Sequence, residues 1–236
     1  SPMHNSETKN TGYWITELLK IRSDLDQKVY KPGPWHKLTK QLATAPAAQR
    51  REVSDLVSEV SDLLHSRKHF PKAPFLAGYF AEWVLFTVSV ALMQADQVLV
   101  RLAAVGLLAL CLQPLIKVTT GLLLGVRYAY VYLWYVEPRF KMTFGTYLAQ
   151  GRTRQCALHL AGSVGTPIAL LVGIFLLDDN FWLQSLCFAG FFGALGLQIG
   201  AFILVMAGVR KVGTLPLTTL TTPAMLAEVY RSSKSS

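Results

Sequence analysis

Apolar and polar positions alternate along this chain in two distinct rhythms, separated by one segment that follows neither. Four long apolar runs, over 75–93, 98–124, 156–177 and 181–209, are broken only by polar turns at 94–97 and 178–180 and by the loop 125–155. Each run reaches or nears the ~20 residues a helix needs to cross hydrocarbon. Ahead of them the apolar residues recur at steps of three and four: Trp14, Leu18, Ile21, Leu25 and Val29 within 13–30, then Val53, Leu56, Val57, Val60, Leu63 and Leu64 within 47–67. That spacing predicts two amphipathic helices, each with one greasy face to bury. Lys31–Pro32–Gly33–Pro34 ends the first, 35–42 reads as a short helix, and Ala45–Pro46 breaks the chain again. The expected fold is therefore all-α: a polytopic α-helical membrane protein with four transmembrane helices and an N-terminal amphipathic helical module. The expected divisions are a cytoplasmic region over 1–73, a membrane domain over 74–209 and a cytoplasmic tail over 210–236.

The exceptional segment is aromatic. Tyr128, Tyr130, Tyr132, Trp134 and Tyr135 crowd together between Arg127 and the run Glu137–Pro138–Arg139–Phe140. Their alternation suits a strand, but an open strand at membrane depth leaves backbone groups unpaired. A helical continuation lying in or leaving the interface is expected instead. Its aromatics would form a belt between hydrocarbon and headgroups, or, with Arg127, Glu137 and Arg139, a surface for a lipid headgroup or a partner protein.

Charge sets the expected orientation. Only 16% of residues are charged, against roughly 25% in a typical soluble domain. The net charge of +9 is unevenly placed: 1–73 carry twelve Lys or Arg, 125–155 five and the tail four, whereas the turns at 94–97 and 178–180 carry none. Positive loops stay on the cytoplasmic side, which puts both termini there. The surplus then faces anionic headgroups and does not call for nucleic acid. Ser1 and Pro2, ahead of Met3, read as an appended remnant, and no cleaved secretory signal is expected. Cys111, Cys156 and Cys187 all lie in apolar runs, which speaks against a disulfide framework or a thiolate metal site.

Ionisable residues inside apolar runs are the candidate chemistry, because each is costly there and seeks a partner or a cavity. Glu82 in the first run and Lys117 in the second lie at similar depth, where antiparallel neighbours would bring them together. Gln113, His159 and Gln198 could extend them into an intramembrane polar cluster. His65 and His69, four apart, have the spacing of a metal pair, but helix-end cations account for them equally well. No catalytic triad order, Walker loop or dinucleotide fingerprint occurs, so neither a catalytic residue, a metal nor a cofactor is assigned. Small residues recur in the third run (Gly162, Gly165, Thr166, Ala169, Gly173) and the fourth (Gly190, Gly193, Gly200), a pattern that lets helix backbones approach. These two helices, joined by a three-residue turn, are expected to pair first. The function expected is a multi-pass membrane subunit or scaffold that binds lipid, a second copy or a partner membrane protein. A transporter component using the Glu–Lys–His cluster and a small lipid-modifying enzyme are the alternatives.

Overall fold

The computed structural model describes residues 2–135, 137–209, 212 and 217–234. About 75% of it is helical. The N-terminal module consists of α1 (Pro2–Asp26), α2 (Pro34–Thr44), α3 (Ala47–Glu52) and α4 (Ser54–Ser66). Trp14, Leu18, Ile21 and Leu25 of α1 meet Leu38 and Leu42 of α2 and Val53, Val57 and Val60 in one core. Two details depart from the periodicity. α1 stops three residues before Val29: Lys28 turns left-handed at φ 60°, and the Lys28 and Val29 amides donate to the Leu25 and Asp24 carbonyls. That closure satisfies the helix end and leaves Val29 59% exposed. The single helix expected over 47–67 is divided at Val53 (φ −94°, ψ 0°), whose side chain is buried in the core.

Beyond the module follow β1 (Lys72–Pro74), α5 (Phe75–Leu92), α6 (Val98–Leu123), β2 (Tyr128–Trp134), β3 (Glu137–Met142), α7 (Phe144–Leu148), α8 (Arg152–Leu176), α9 (Phe181–Met206) and α10 (Thr218–Lys234). Of these, α5, α6, α8 and α9 are long and apolar enough to cross a membrane. They form a row in chain order: α5 lies on α6, α6 on α8 and α8 on α9, while α10 covers one end of α8 and α9. The two ends of the row leave large apolar side chains outward, Phe80 at 70% and Phe192 at 54% exposed. The short turns are joined by Arg101 at the start of α6, which pairs with Asp179 and donates to the Leu176 carbonyl (2.8 Å).

The tightest seam is α6 against α8, not the α8–α9 pair expected from the short turn. A Cβ on Gly165 would stand 2.4 Å from the Gln113 Cα; one on Gly162 would meet the Lys117 stem at 2.8 Å, and one on Gly173 would lie between Cys187 Sγ of α9 (2.8 Å) and Val105 of α6 (2.9 Å). Val105, Gln113 and Lys117 share a face of α6, and the glycines of α8 receive them in antiparallel order. Thr166 donates to Gln113 Oε1 (3.1 Å) in the same seam, and Ala169 is fully buried. On α9, Gly190 touches only Leu170 at 3.4 Å, and nothing lies within 4 Å of a Cβ on Gly193 or Gly200. Adjacency in sequence brings α9 beside α8 and close to it at Gly173; at Gly162 and Gly165 the close approach belongs to α6, whose knobs fit the glycines.

The aromatic segment is a strand, contrary to the helical continuation expected. β1, β2 and β3 form an antiparallel sheet in that order, with Tyr132 opposite both Lys72 and Arg139. The objection to a strand was unpaired backbone, and here both neighbours are supplied: three residues just ahead of α5 on one side, and EPRFKM on the other. α6 ends at Gly125 (φ 85°), where the Gly125 and Val126 amides close on the Leu122 and Gly121 carbonyls and turn the chain into β2. The strand face of Val131 packs on α5, where a Cβ on Gly78 would come within 2.5 Å of it.

Candidate functional site

Most of the hairpin's aromatic side chains are spent inside the protein. The Tyr130 hydroxyl lies 2.7 Å from His65 Nδ1 at the end of α4, and the Tyr132 ring meets the same imidazole edge-on at 4.5 Å between centroids. Phe70 stacks on Tyr132 (5.5 Å), Lys72 lies over the Tyr130 ring (4.7 Å), and Lys141 reaches Asp62 (3.3 Å) and Ser61 (2.9 Å). Tyr128 stacks on Phe75 (5.6 Å) and donates to the Lys117 carbonyl (3.4 Å). This aromatic and ionic knot ties the module to the spanning-length helices. α7 adds a second tie: its Leu148 sits in the module core, Gly145 N–H donates to Ser58 Oγ (3.0 Å), and Arg50 donates to the Gln150 carbonyl (3.2 Å). His65, the first of the suggested metal pair, is therefore committed to Tyr130.

Burial, with Lys141, Lys68 and Lys72 nearby, pulls His65 down to about 4, although Asp62 acts the other way; burial likewise lifts Tyr130 to about 12. The imidazole is thus neutral at pH 7 and shares its Nδ1 hydrogen bond with the Tyr130 hydroxyl. Because its folded value lies below its unfolded value of 6.5, the unfolded or undocked state gains the proton first as pH falls. The knot is whole above pH 6.5 and weakens progressively towards pH 4. Protection of the α4 amides, taken relative to their intrinsic exchange at each pH, is expected to fall over that window in the wild type and to lose that pH dependence in His65→Gln; a protection factor unchanged from pH 7 to pH 4.5 in the wild type would contradict it.

The polar residues of the apolar runs are not gathered into one cluster. Glu82 is 4% exposed with Oε2 lacking a hydrogen bond, and it faces the Cys111 side of α6. Lys117 faces α8 across Gly162. No ion pair joins the two among the described residues. Gln198 holds two helices together: its amide donates to the Ser163 carbonyl (2.8 Å), the acceptor that Pro167, four residues on, cannot serve. Gln113 Oε1 is bound to Thr166 while its Nε2 has no partner. His159, 1% exposed, shares a 2.8 Å hydrogen bond from Nε2 to the Tyr147 hydroxyl, and its Nδ1 is unpartnered. Burial pushes the Tyr147 hydroxyl up, which keeps it neutral. Sequence reasoning missed Tyr147 and Arg101. The one signal for Arg101 was a cation just inside an apolar run beside an acid-only turn.

A basic corner remains where α6, α8, α10 and β3 approach one another. Arg139 lies over the Trp134 ring (3.6 Å) and 3.5 Å from Glu137, and burial holds its guanidinium below the usual range. Glu137 in turn accepts from the Thr218 amide (3.2 Å) and hydroxyl at the start of α10. At the hairpin tip Tyr135, whose ring lies 5.8 Å from that of Trp134, is 71% exposed and adopts φ 55°, a left-handed conformation that favours glycine. Arg127, by contrast, contributes its backbone, with its amide bonded to Thr146 Oγ1 (3.0 Å).

Fold and site define a helical protein with four helices of membrane-spanning length, crossed at one end by an aromatic hairpin that docks the N-terminal helical module. No family model, curated protein or solved structure matches the chain.

Proposed function

We propose that this chain is a multi-pass membrane scaffold, with both termini on the cytoplasmic side. In this reading the hairpin and α7 hold the N-terminal module against the headgroup layer, where the module and the hairpin tip bind lipid or a partner protein. One observation carries it: the hairpin's tyrosines are consumed in fastening two parts of the molecule together, while its tip, Tyr135, stays 71% exposed in a strained conformation. The charge asymmetry supports the orientation, since the acid-bearing turns at 94–97 and 178–180 lack any Lys or Arg.

A transporter or a lipid-modifying enzyme would need Glu82 and His159 to act together, but among the described residues no bond joins them: Glu82 Oε2 has no hydrogen bond and His159 is engaged with Tyr147. The test is proton flux. Vesicles carrying the purified chain are expected to dissipate an imposed pH gradient no faster than empty ones, and Glu82→Gln to change nothing. Flux that depends on Glu82 would replace the scaffold reading with a transporter.

A further inference from the structure

The basic corner carries more positive charge than its own carboxylate answers. Lys117 has no hydrogen-bond or ionic partner among the described residues, although its stem is wedged against Gly162 roughly 10 Å inside the end of α6. Arg139 is tied to the same corner through Glu137: its Nη2 lies 3.5 Å from that carboxylate, which accepts from Thr218, one turn before Thr222 on α10, while its Nε is buried without a hydrogen bond. Thr222 Cγ2 and the Lys117 stem flank Gly162 together, and the Thr222 hydroxyl is fully buried and unpartnered. Nδ1 of His159, one turn from Gly162, is likewise unused. Glu137 is engaged by Thr218, and Glu228 of α10 is exposed and acts on Tyr147, not on Lys117.

An ammonium and a guanidinium brought to one corner with a single carboxylate between them are costly in low dielectric, and the cost is relieved when an anion completes the site. We propose that Lys117 and Arg139 hold the phosphate of an anionic phospholipid where α6, α8, α10 and β3 meet. The inference rests on the scaffold reading, which places this corner at the headgroup layer. Phosphate matches the donor set: one point cation, one planar fork and a hydroxyl. A lipid suits the corner better than free phosphate because Trp134 stacks on Arg139 and the adjoining end of α6 offers an apolar rail, with Leu123 83% exposed.

The full-length chain in detergent would be titrated with phosphatidylglycerol, with chain-matched phosphatidylcholine and with inorganic phosphate, and adducts counted by native mass spectrometry. The expected result is a preference for phosphatidylglycerol that Lys117→Gln lowers about tenfold, the worth of one charge-assisted bond, and that Lys117→Arg keeps. Since Lys117→Gln also disturbs the seam, the wild type supplies a second measurement: phosphatidylglycerol, but not phosphatidylcholine, should shield Lys117 from an amine-acylating reagent while Lys37 reacts fully. Equal shielding by both lipids, or none, overturns the site; competition by inorganic phosphate at equal concentration overturns the lipid as occupant. A failed site with no Glu82-dependent flux leaves the scaffold standing, whereas such flux with an intact adduct overturns the scaffold and keeps the site.

Discussion

Gly165→Ala is expected to cause the largest loss of stability of any single methyl added to the spanning-length helices. The new Cβ would lie 2.4 Å from the Gln113 Cα and 2.5 Å from its amide nitrogen. Those are backbone atoms in the middle of α6, so no rotamer change relieves the clash and the two helices must separate. Separation also strains the Thr166–Gln113 bond and uncovers the buried faces of Leu108, Cys111 and Ala169. Overpacking typically costs about 1–3 kcal/mol, and a backbone clash belongs at the top of that range. Thermal unfolding of the purified chain in detergent should show a midpoint several degrees lower. Gly196→Ala is the matched control, because nothing lies within 4 Å of its Cβ; its midpoint should stay or rise slightly on helix propensity. Equal midpoints for the two variants would mean that the α6–α8 seam is not the closest helix-to-helix packing among the spanning-length helices.

The same pair of glycines shows what the sequence could and could not reveal. Stripes in α8 and α9 look alike as strings, and period alone predicts that both are packing faces. Which one is used depends on the residues opposite: Val105, Gln113 and Lys117 recur on α6 at intervals the α8 glycines match, and that pairing is tertiary information. The four apolar runs were legible because length and composition decide them, and their ends moved by only a few residues. The module's stripes were legible for the same reason, except at Val29 and Val53, where local backbone geometry overrode the period. The strand in 128–134 was visible as alternation. The objection to it, unpaired backbone, falls only once its partners are known, and Lys72–Pro74 some fifty residues earlier and the unremarkable EPRFKM carry no strand signature of their own. Depth along a helix suggested that Glu82 and Lys117 would meet. The rotation about each helix axis, which sends one towards Cys111 and the other towards Gly162, could not be read without knowing the neighbours.

Gly145→Ala should act with comparable force at the other end of the molecule. A Cβ there would stand 1.8 Å from the Ser54 carbonyl oxygen and 2.4 Å from Ser58 Oγ. α7 has only five residues and is pinned on both sides, by Leu148 in the module core and by the bond from Arg50 to Gln150, so it cannot slide to make room. The expected outcome is release of α7 from α3 and α4, with the Gly145–Ser58 bond lost and Leu148 withdrawn from the core. Amide exchange across 47–66 should rise by an order of magnitude or more, the change that follows from losing about 1.4 kcal/mol or more of local opening energy. Exchange in α6 should be unchanged, because the Gly165 seam shares no residue with α7; in α8 a rise should be confined to the turn around His159, which loses its hydrogen bond to Tyr147. Gly151→Ala, whose Cβ meets nothing within 4 Å, should leave both regions as they are. Were Gly145→Ala to loosen α6 and α8 equally, the module and the helical row would be one cooperative unit, and the hairpin would be part of a common core instead of a tie between two.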